Sequence, residues 1–136
     1  MIKPIVRDII FLSQKAEPAT RADRSVGIDL LDTLRANRER CVGMAANMIG
    51  VKKAVIVIHD GTEDMVMFNP VIVKKDGPYE AKEGCLSLDG LRRTTRYQCI
   101  DVVYYDMNGK KRKQRLRDFP AQICQHEMDH LEGILI

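Results

Sequence analysis

Apolar residues near the start of the chain recur at the spacing of one helix face. They fall within residues 22–38 and comprise Val26, Leu30, Leu31 and Leu34. This spacing predicts an amphipathic helix, because a period of 3.6 residues places all four side chains on one side. Asp23 or Ser25 is a suitable N-cap residue for it.

The middle of the chain has the pattern of strands. Residues 41–50 are apolar, small and punctuated by glycine, which indicates a buried loop or strand that another group approaches closely. Three further segments are rich in β-branched residues: 54–58, 65–73 and 100–105. We predict a strand for each. Asn69-Pro70 interrupts the second, and Asn108-Gly109 follows the third as the tight turn of a hairpin that continues into a basic run.

A second helix is predicted over residues 119–131. Asp118 stands in the cap position, Pro120 suits the first turn, and Gly133 ends the helix. One face of this helix would carry Phe119, Ile123, His126 and His130. The order of helix, several strands and helix predicts an α+β fold.

Composition limits the protein class. The chain has 136 residues and is 45% hydrophobic, so we expect one domain over residues 1–136. No apolar run reaches the ~18 residues of a membrane span, and no secretory signal is recognisable, which predicts a cytoplasmic protein without a membrane partner. The cysteines form no Cys-x-x-Cys pair, so thiols are expected. The net charge of +3 is spread widely except at residues 110–117, which suit a solvated strand or an anionic partner.

The segment from His126 to His130 carries the clearest chemistry. The two histidines lie four residues apart with Glu127 beside the first, so a helix presents both imidazoles on one face. Zinc or ferrous iron accepts neutral imidazole, and a neighbouring carboxylate can take a proton from metal-bound water. The alternative is a core histidine that shares a helix with surface acids. A third ligand stays open at this point, and the candidates are Cys41, Cys85, Cys99, Cys124, His59 and several carboxylates.

Three ordered motifs resemble the signatures of peptide deformylases. They are Cys41-Val42-Gly43-Met44-Ala45-Ala46-Asn47-Met48, Glu83-Gly84-Cys85-Leu86-Ser87, and residues 125–133 around the two histidines. Three motifs in order are far more specific than one His-Glu-x-x-His pattern. The resemblance spans nearly the whole chain and implies antiparallel strands around a central metal-binding helix.

The resemblance also implies an activity and a site. The family removes the formyl group from the initiator N-formylmethionine of nascent polypeptides and releases formate. Cys85, His126 and His130 would bind one divalent metal ion, with Fe²⁺ most expected in the cell and Zn²⁺, Ni²⁺ or Co²⁺ as alternatives. Glu127 would take a proton from the attacking water and return it to the departing amine. The backbone N–H of Leu86 would donate to the oxyanion.

Four further residues would contact the substrate on the same resemblance. Gly43 would lie against the peptide backbone, Arg92 near the peptide, and Ile123 in the pocket for the methionine side chain. The fourth position belongs to a glutamine in the family and is Met48 here, whose thioether cannot donate to an oxyanion. We therefore expect slower turnover, unless Asn47 or Gln122 supplies an amide.

Two other departures leave alternatives open. Cys41 replaces a glycine, and it either packs as a small hydrophobe or brings a second sulfur near the metal. Some family members dock on the ribosome through a C-terminal helix, so a ribosome contact here would need another surface, such as residues 110–117; no direct nucleic-acid recognition is expected. The hypotheses are an active deformylase, a divergent member with weak activity or another N-acylated substrate, and a non-catalytic metal-binding module.

Overall fold

The computed structural model describes residues 1–85 and 88–135. The helices are α1 (Ile9–Leu12), α2 (Arg24–Ala36) and α3 (Asp118–Leu131), and short 3₁₀ helices span Arg21–Asp23 and Ala46–Ile49. The strands are β1 (Gly43–Ala45), β2 (Val55–His59), β3 (Asp64–Cys85), β4 (Leu88–Tyr105) and β5 (Lys111–Arg117). Within the described residues these strands form one antiparallel sheet in the order β1-β2-β3-β4-β5. The predicted α+β class with antiparallel strands is confirmed.

Strand β2 lies in the middle of the apolar core. Val55, Ile56, Val57 and Ile58 are all fully buried, and both α2 and α3 contact this strand. Burial on both faces explains why the segment reads as a continuous β-branched run rather than an alternating one. No helix in the described part of the chain has the length and apolar content that crossing a membrane requires.

The hairpin of β3 and β4 is much longer than predicted. The sequence pattern indicated only residues 65–73 and 100–105, whereas the paired strands extend to Cys85 and back from Leu88. The missed part is largely polar and exposed, so it lacks the alternation that marks a half-buried strand. The predicted break at Asn69-Pro70 is a register shift between Phe68 and Val71, with Asn69 at a φ of 52°.

Helix α3 begins one residue before the predicted start. Asp118 is its first residue rather than its cap, and it adopts a φ of 54° where β5 turns directly into the helix. The side chain of Gln125 then ties the helix to β4, because it accepts from the Tyr97 N–H and donates to the Tyr97 carbonyl, both at 2.8 Å. These two bonds fix the histidine-bearing turns of α3 against the long hairpin.

Candidate active site

A cleft of about 260 Å³ opens where α3, the end of β3 and residues 40–48 meet. Helix α3 contributes Ile123, His126 and Glu127 to it, and β3 contributes Glu83 and Cys85. The fold therefore places the segments around Cys85 and around the two histidines on one wall of the cleft. Residues 41–48 form the opposite wall.

Three metal-ligating side chains converge at this cleft. One ligand atom from each of Cys85, His126 and His130 lies within 4.8 Å of the others. The Nε2 atoms of the two imidazoles are 3.0 Å apart, and His130 is fully buried. Side chains that direct nitrogen and sulfur to one point are typical of a protein metal site. No other such group occurs among the residues that the structure describes.

Glu83 orients His126 within this group. The Nδ1–H of His126 donates to Glu83 Oε1 at 2.7 Å, which directs Nε2 at the shared point. Histidine ligands are commonly fixed in this way by a carboxylate on the other ring nitrogen. Gln122 Nε2 also donates to Glu83, at 3.0 Å.

A buried arginine holds Glu83 in place. Arg96, on β4, is only 3% exposed; its Nη2 is 2.7 Å from Glu83 Oε1, and its Nη1 is 2.6 Å from Asp129 Oδ2. Burial alone would raise the pKa of Glu83, but the hydrogen bonds from His126 and Arg96 outweigh it and lower that pKa to about 2. Glu83 is therefore ionised at neutral pH.

The charges around the histidines favour a cation at the shared point. Burial would lower the pKa of His126, but Cys85 and Glu83 raise it to about 10. Burial and the neighbouring His126 lower the pKa of His130 to about 3. The pair therefore keeps one positive charge at neutral pH, and a bound metal ion would replace that proton.

Glu127 is a candidate for proton transfer. Its Oε1 is buried without a hydrogen-bond partner among the described residues, and burial raises its pKa to about 7. A carboxyl group with that pKa can both accept and release a proton near neutral pH, which is the requirement for a general base that later acts as an acid.

The opposite wall approaches α3 very closely at Gly43. A Cβ atom built on Gly43 would lie 2.5 Å from Ile123 Cγ2 and 2.9 Å from Glu127 Oε2. Both contacts are shorter than van der Waals distance, so any larger residue would displace Ile123 or Glu127. The glycine is therefore required where the backbone of β1 meets the helix.

This wall offers no side-chain amide to the cleft. Met48 lines it and is 1% exposed, with its sulfur accepting from the Ala45 N–H at 3.4 Å. Asn47 donates to the His130 carbonyl at 2.9 Å, and the amide nitrogen of Gln122 is engaged by Glu83. Of the two amides considered as replacements for the family glutamine, Asn47 does not line the cleft, and Gln122 lines it from α3 with its amide nitrogen bonded to Glu83.

Cys41 also borders the cleft, but it stands apart from the converging ligands. Its thiol donates to the Gly43 carbonyl at 2.7 Å, and burial raises its pKa to about 12. The bond to the Gly43 carbonyl and the absence of Cys41 from the converging group of described residues favour the packing interpretation over a second metal-binding sulfur. Cys124 is buried and also has a pKa raised to about 12 by burial. His59 contacts Asp64 instead, at 2.9 Å.

Comparison with known proteins decides the family. A model of the polypeptide deformylase family matches residues 3–136. The chain belongs to this family. A peptide deformylase of Clostridium beijerinckii is 60% identical over 136 residues, which is the full length of both chains. A peptide deformylase of Desulforudis audaxviator is 38% identical over 135 residues and is covered over 84% of its length.

Solved deformylase structures share the fold. The class I type b enzyme of Acinetobacter baumannii with Met-Ala-Ser bound has a TM-score of 0.89 and 26% identity, with coverage of 99% of this chain and 97% of that one. The Ehrlichia chaffeensis enzyme in complex with actinonin has a TM-score of 0.88 and 30% identity, with coverage of 98% and 86%. The predicted family and fold class are thus both confirmed.

Leu86 and Arg92 are also expected at the cleft from the deformylase resemblance. Leu86 lies outside the described residues. Arg92 does not line the cleft; its Nη1 donates to the Asp89 carbonyl at 3.1 Å. The residue of this arginine-rich stretch that supports the site is Arg96, which the sequence did not single out. The sequence did contain an indication that an arginine supports the site. A buried arginine needs carboxylate partners, and Glu83 stands two residues before Cys85.

Proposed function

We propose that this chain removes the N-formyl group from N-formylmethionyl peptides and releases formate. The observation that carries the proposal is the convergence of Cys85, His126 and His130 beside Glu127, in one cleft of a deformylase fold. The family assignment supplies the reaction, and the arrangement of the side chains supplies the groups that the reaction needs.

The donor set fits a metal ion. Two imidazole nitrogens face each other at 3.0 Å, a thiol lies close by, and His126 is fixed by Glu83 through its other nitrogen. We assign Cys85, His126 and His130 as the ligands. A divalent ion bound there polarises the formyl carbonyl and makes water acidic. We propose Fe²⁺ in the cell, and Zn²⁺, Ni²⁺ and Co²⁺ suit the same ligands.

Glu127 moves the proton in this proposal. Its carboxylate accepts the proton of the attacking water and then delivers it to the amine nitrogen as the C–N bond to the formyl carbon breaks. A pKa near 7 supports both roles. The oxyanion would accept a hydrogen bond from the backbone N–H of Leu86. Met48 offers no second donor, so we expect a lower rate than with an amide at that position.

Substrate contacts follow from the opposite wall. We propose that the backbone of Gly43 contacts the peptide backbone, because Gly43 lines the cleft and lies directly against Ile123 and Glu127. Ile123, at the same point, would contact the methionine side chain. Arg92 remains a proposed contact for the peptide beyond the cleft.

The substrate implies a location. N-formylated nascent peptides arise at the ribosome, so we propose that the protein acts in the cytoplasm as one catalytic domain over residues 1–136. The exposed basic strand β5 is the surface that would contact the ribosome. Lys111, Lys113 and Arg117 on this strand have no carboxylate partner among the described residues, which supports an anionic neighbour.

Formate release tests the proposal. Protein loaded anaerobically with Fe²⁺ should release formate from formyl-Met-Ala-Ser and should release no acetate from the matched acetyl-Met-Ala-Ser. Treatment with a chelator should abolish the activity, and added Fe²⁺ should restore it. Release from the acetyl peptide at an equal or higher rate would favour the divergent member with another N-acylated substrate, a reading motivated by Met48. No release from either peptide would favour the non-catalytic metal-binding module.

A further inference from the structure

Two cations border the cleft at its mouth. Arg40 lies in the segment that leads into β1, and Lys82 lies on β3 three residues before Cys85. Both side chains are exposed. They come from two separate segments, and both line the same cleft.

Neither cation is neutralised in the part of the chain that the structure describes. Arg40 donates to Asn37 Oδ1 at 3.0 Å, which is an uncharged acceptor. Lys82 has no ion pair with a described residue, and the residue directly opposite it on β4 is Arg93, a further exposed cation for which the described residues offer no carboxylate partner. Like charges directly opposite one another destabilise a sheet. An anion between the strands and the cleft would relieve that repulsion.

The acids of the cleft do not offset this charge. Glu83 is engaged by Arg96 and His126. Glu127 is buried at the base of the cleft. The mouth therefore keeps an excess of positive charge, and a cleft with charge of one sign concentrates ligands of the other sign.

We propose that Arg40 and Lys82 select N-formylated peptides that carry an acidic side chain at the second or third residue. This inference rests on the proposed function, because the formyl group must lie at Glu127 for the following residues to reach the mouth. The substrate class is then formyl-Met peptides with aspartate or glutamate directly after the methionine. Exposed charge pairs are individually weak, so two together should change kcat/KM by about three- to tenfold.

Matched peptides test the selection. Formyl-Met-Asp-Ala and formyl-Met-Ala-Asp would be compared with the same peptides carrying asparagine, all amidated at the C-terminus so that no other carboxylate is present. We expect kcat/KM to be about three- to tenfold higher for the aspartate member of at least one pair. The preference should shrink as salt is added, because exposed charges are screened.

Variants assign the effect to the two cations. Arg40→Gln with Lys82→Gln should bring the aspartate-to-asparagine ratio to about one, while the charge-preserving Arg40→Lys with Lys82→Arg should keep it. Arg21→Gln with Lys74→Gln removes the same two residue types at exposed positions outside the cleft and should also keep it.

Two results would overturn this inference alone, and a third would also overturn the proposed function. A ratio of about one or lower in the wild type for both pairs would reject it, and so would a ratio that survives in the Arg40→Gln and Lys82→Gln protein. In both cases formate release from the asparagine peptides would leave the proposed function intact. No formate from any peptide would reject the proposed function, and this inference with it.

Discussion

The two walls of the cleft are built in opposite ways. The wall of α3 and β3 is charged and densely hydrogen-bonded, with Glu83 held between Arg96 and His126 behind the candidate ligands. The wall of residues 41–48 is apolar. Met48 on this wall is buried, and its sulfur accepts a hydrogen bond from the Ala45 N–H. Gly43 contributes only backbone.

This difference separates two requirements of catalysis. On the charged wall Glu83, Arg96 and His126 fix one another, so the position and ionisation of His126 are determined by a network. On the apolar wall the requirement is shape, because the absence of a side chain at Gly43 lets Ile123 and Glu127 pack directly against the backbone. Changes on the first wall should therefore alter proton transfer and metal binding. Changes on the second wall should alter the rate of turnover without altering metal binding.

Glu127→Gln should have the largest effect on rate. The amide keeps the shape but cannot accept a proton, so formate release should fall by about 10²–10⁴-fold, which is the usual contribution of a general acid or base. Metal content should remain near that of the wild type, because Glu127 is not among the converging ligands. A variant that keeps more than a tenth of the wild-type rate would show that another group moves the proton.

Met48→Gln should raise the rate from the opposite wall. Its amide oxygen could accept from the Ala45 N–H in place of the sulfur, which leaves the amide nitrogen free to donate into the cleft. One such donor contributes about 10²–10³ in turnover elsewhere, so we expect an increase in kcat of about tenfold or more. Met48→Leu is the matched control, since it fills the space without an amide. Equal rates in both variants would show that this wall contributes no electrostatic stabilisation.

Glu83→Gln tests the network behind the histidines. Metal affinity should fall by about 10–100-fold, because His126 loses the carboxylate that orients it. Equilibrium dialysis with Zn²⁺ measures this, and Gln114→Glu, a change on the exposed strand β5, serves as a surface control. Unchanged affinity would mean that the hydrogen bond from His126 has no influence on the site.

Glu83→Gln should also change how the stability of the fold depends on acid pH. The pKa of Glu83 is lowered from 4.5 to about 2, so the unfolded state binds protons first, and the carboxylate stabilises the fold above pH 4.5. That contribution should be lost as the pH falls from about 4.5 to about 2. Urea unfolding of chelator-treated protein should show wild type and Glu83→Gln converging in stability across this window. A constant difference would contradict the assigned pKa.

The sequence predicts those features of the molecule that have a local pattern. The helix spacing of His126 and His130, the β-branched run of β2 and the Asn108-Gly109 turn all depend on neighbours in the chain. The polar half of the β3 and β4 hairpin was missed because its pairing stabilises it without burying one face.

The network around Glu83 depends on contacts between distant parts of the chain. Arg96 lies 13 residues from Glu83 and bonds Asp129, 33 residues further on. No spacing rule connects these residues, and Arg92 and Arg93 have the same side chain. Only the register of the hairpin decides which arginine is buried. The same holds for Arg40 and Lys82, which the fold brings to one cleft mouth.

The most direct test of the central claim is the identity of the sulfur ligand in cobalt-loaded protein. Wild type and Cys41→Ser should both show a thiolate-to-cobalt charge-transfer band, and Cys85→Ser should lack it, because Cys85 is the one cysteine of the described residues that converges with His126 and His130. A band that persists in Cys85→Ser, or that disappears in Cys41→Ser, would contradict the assignment of the site.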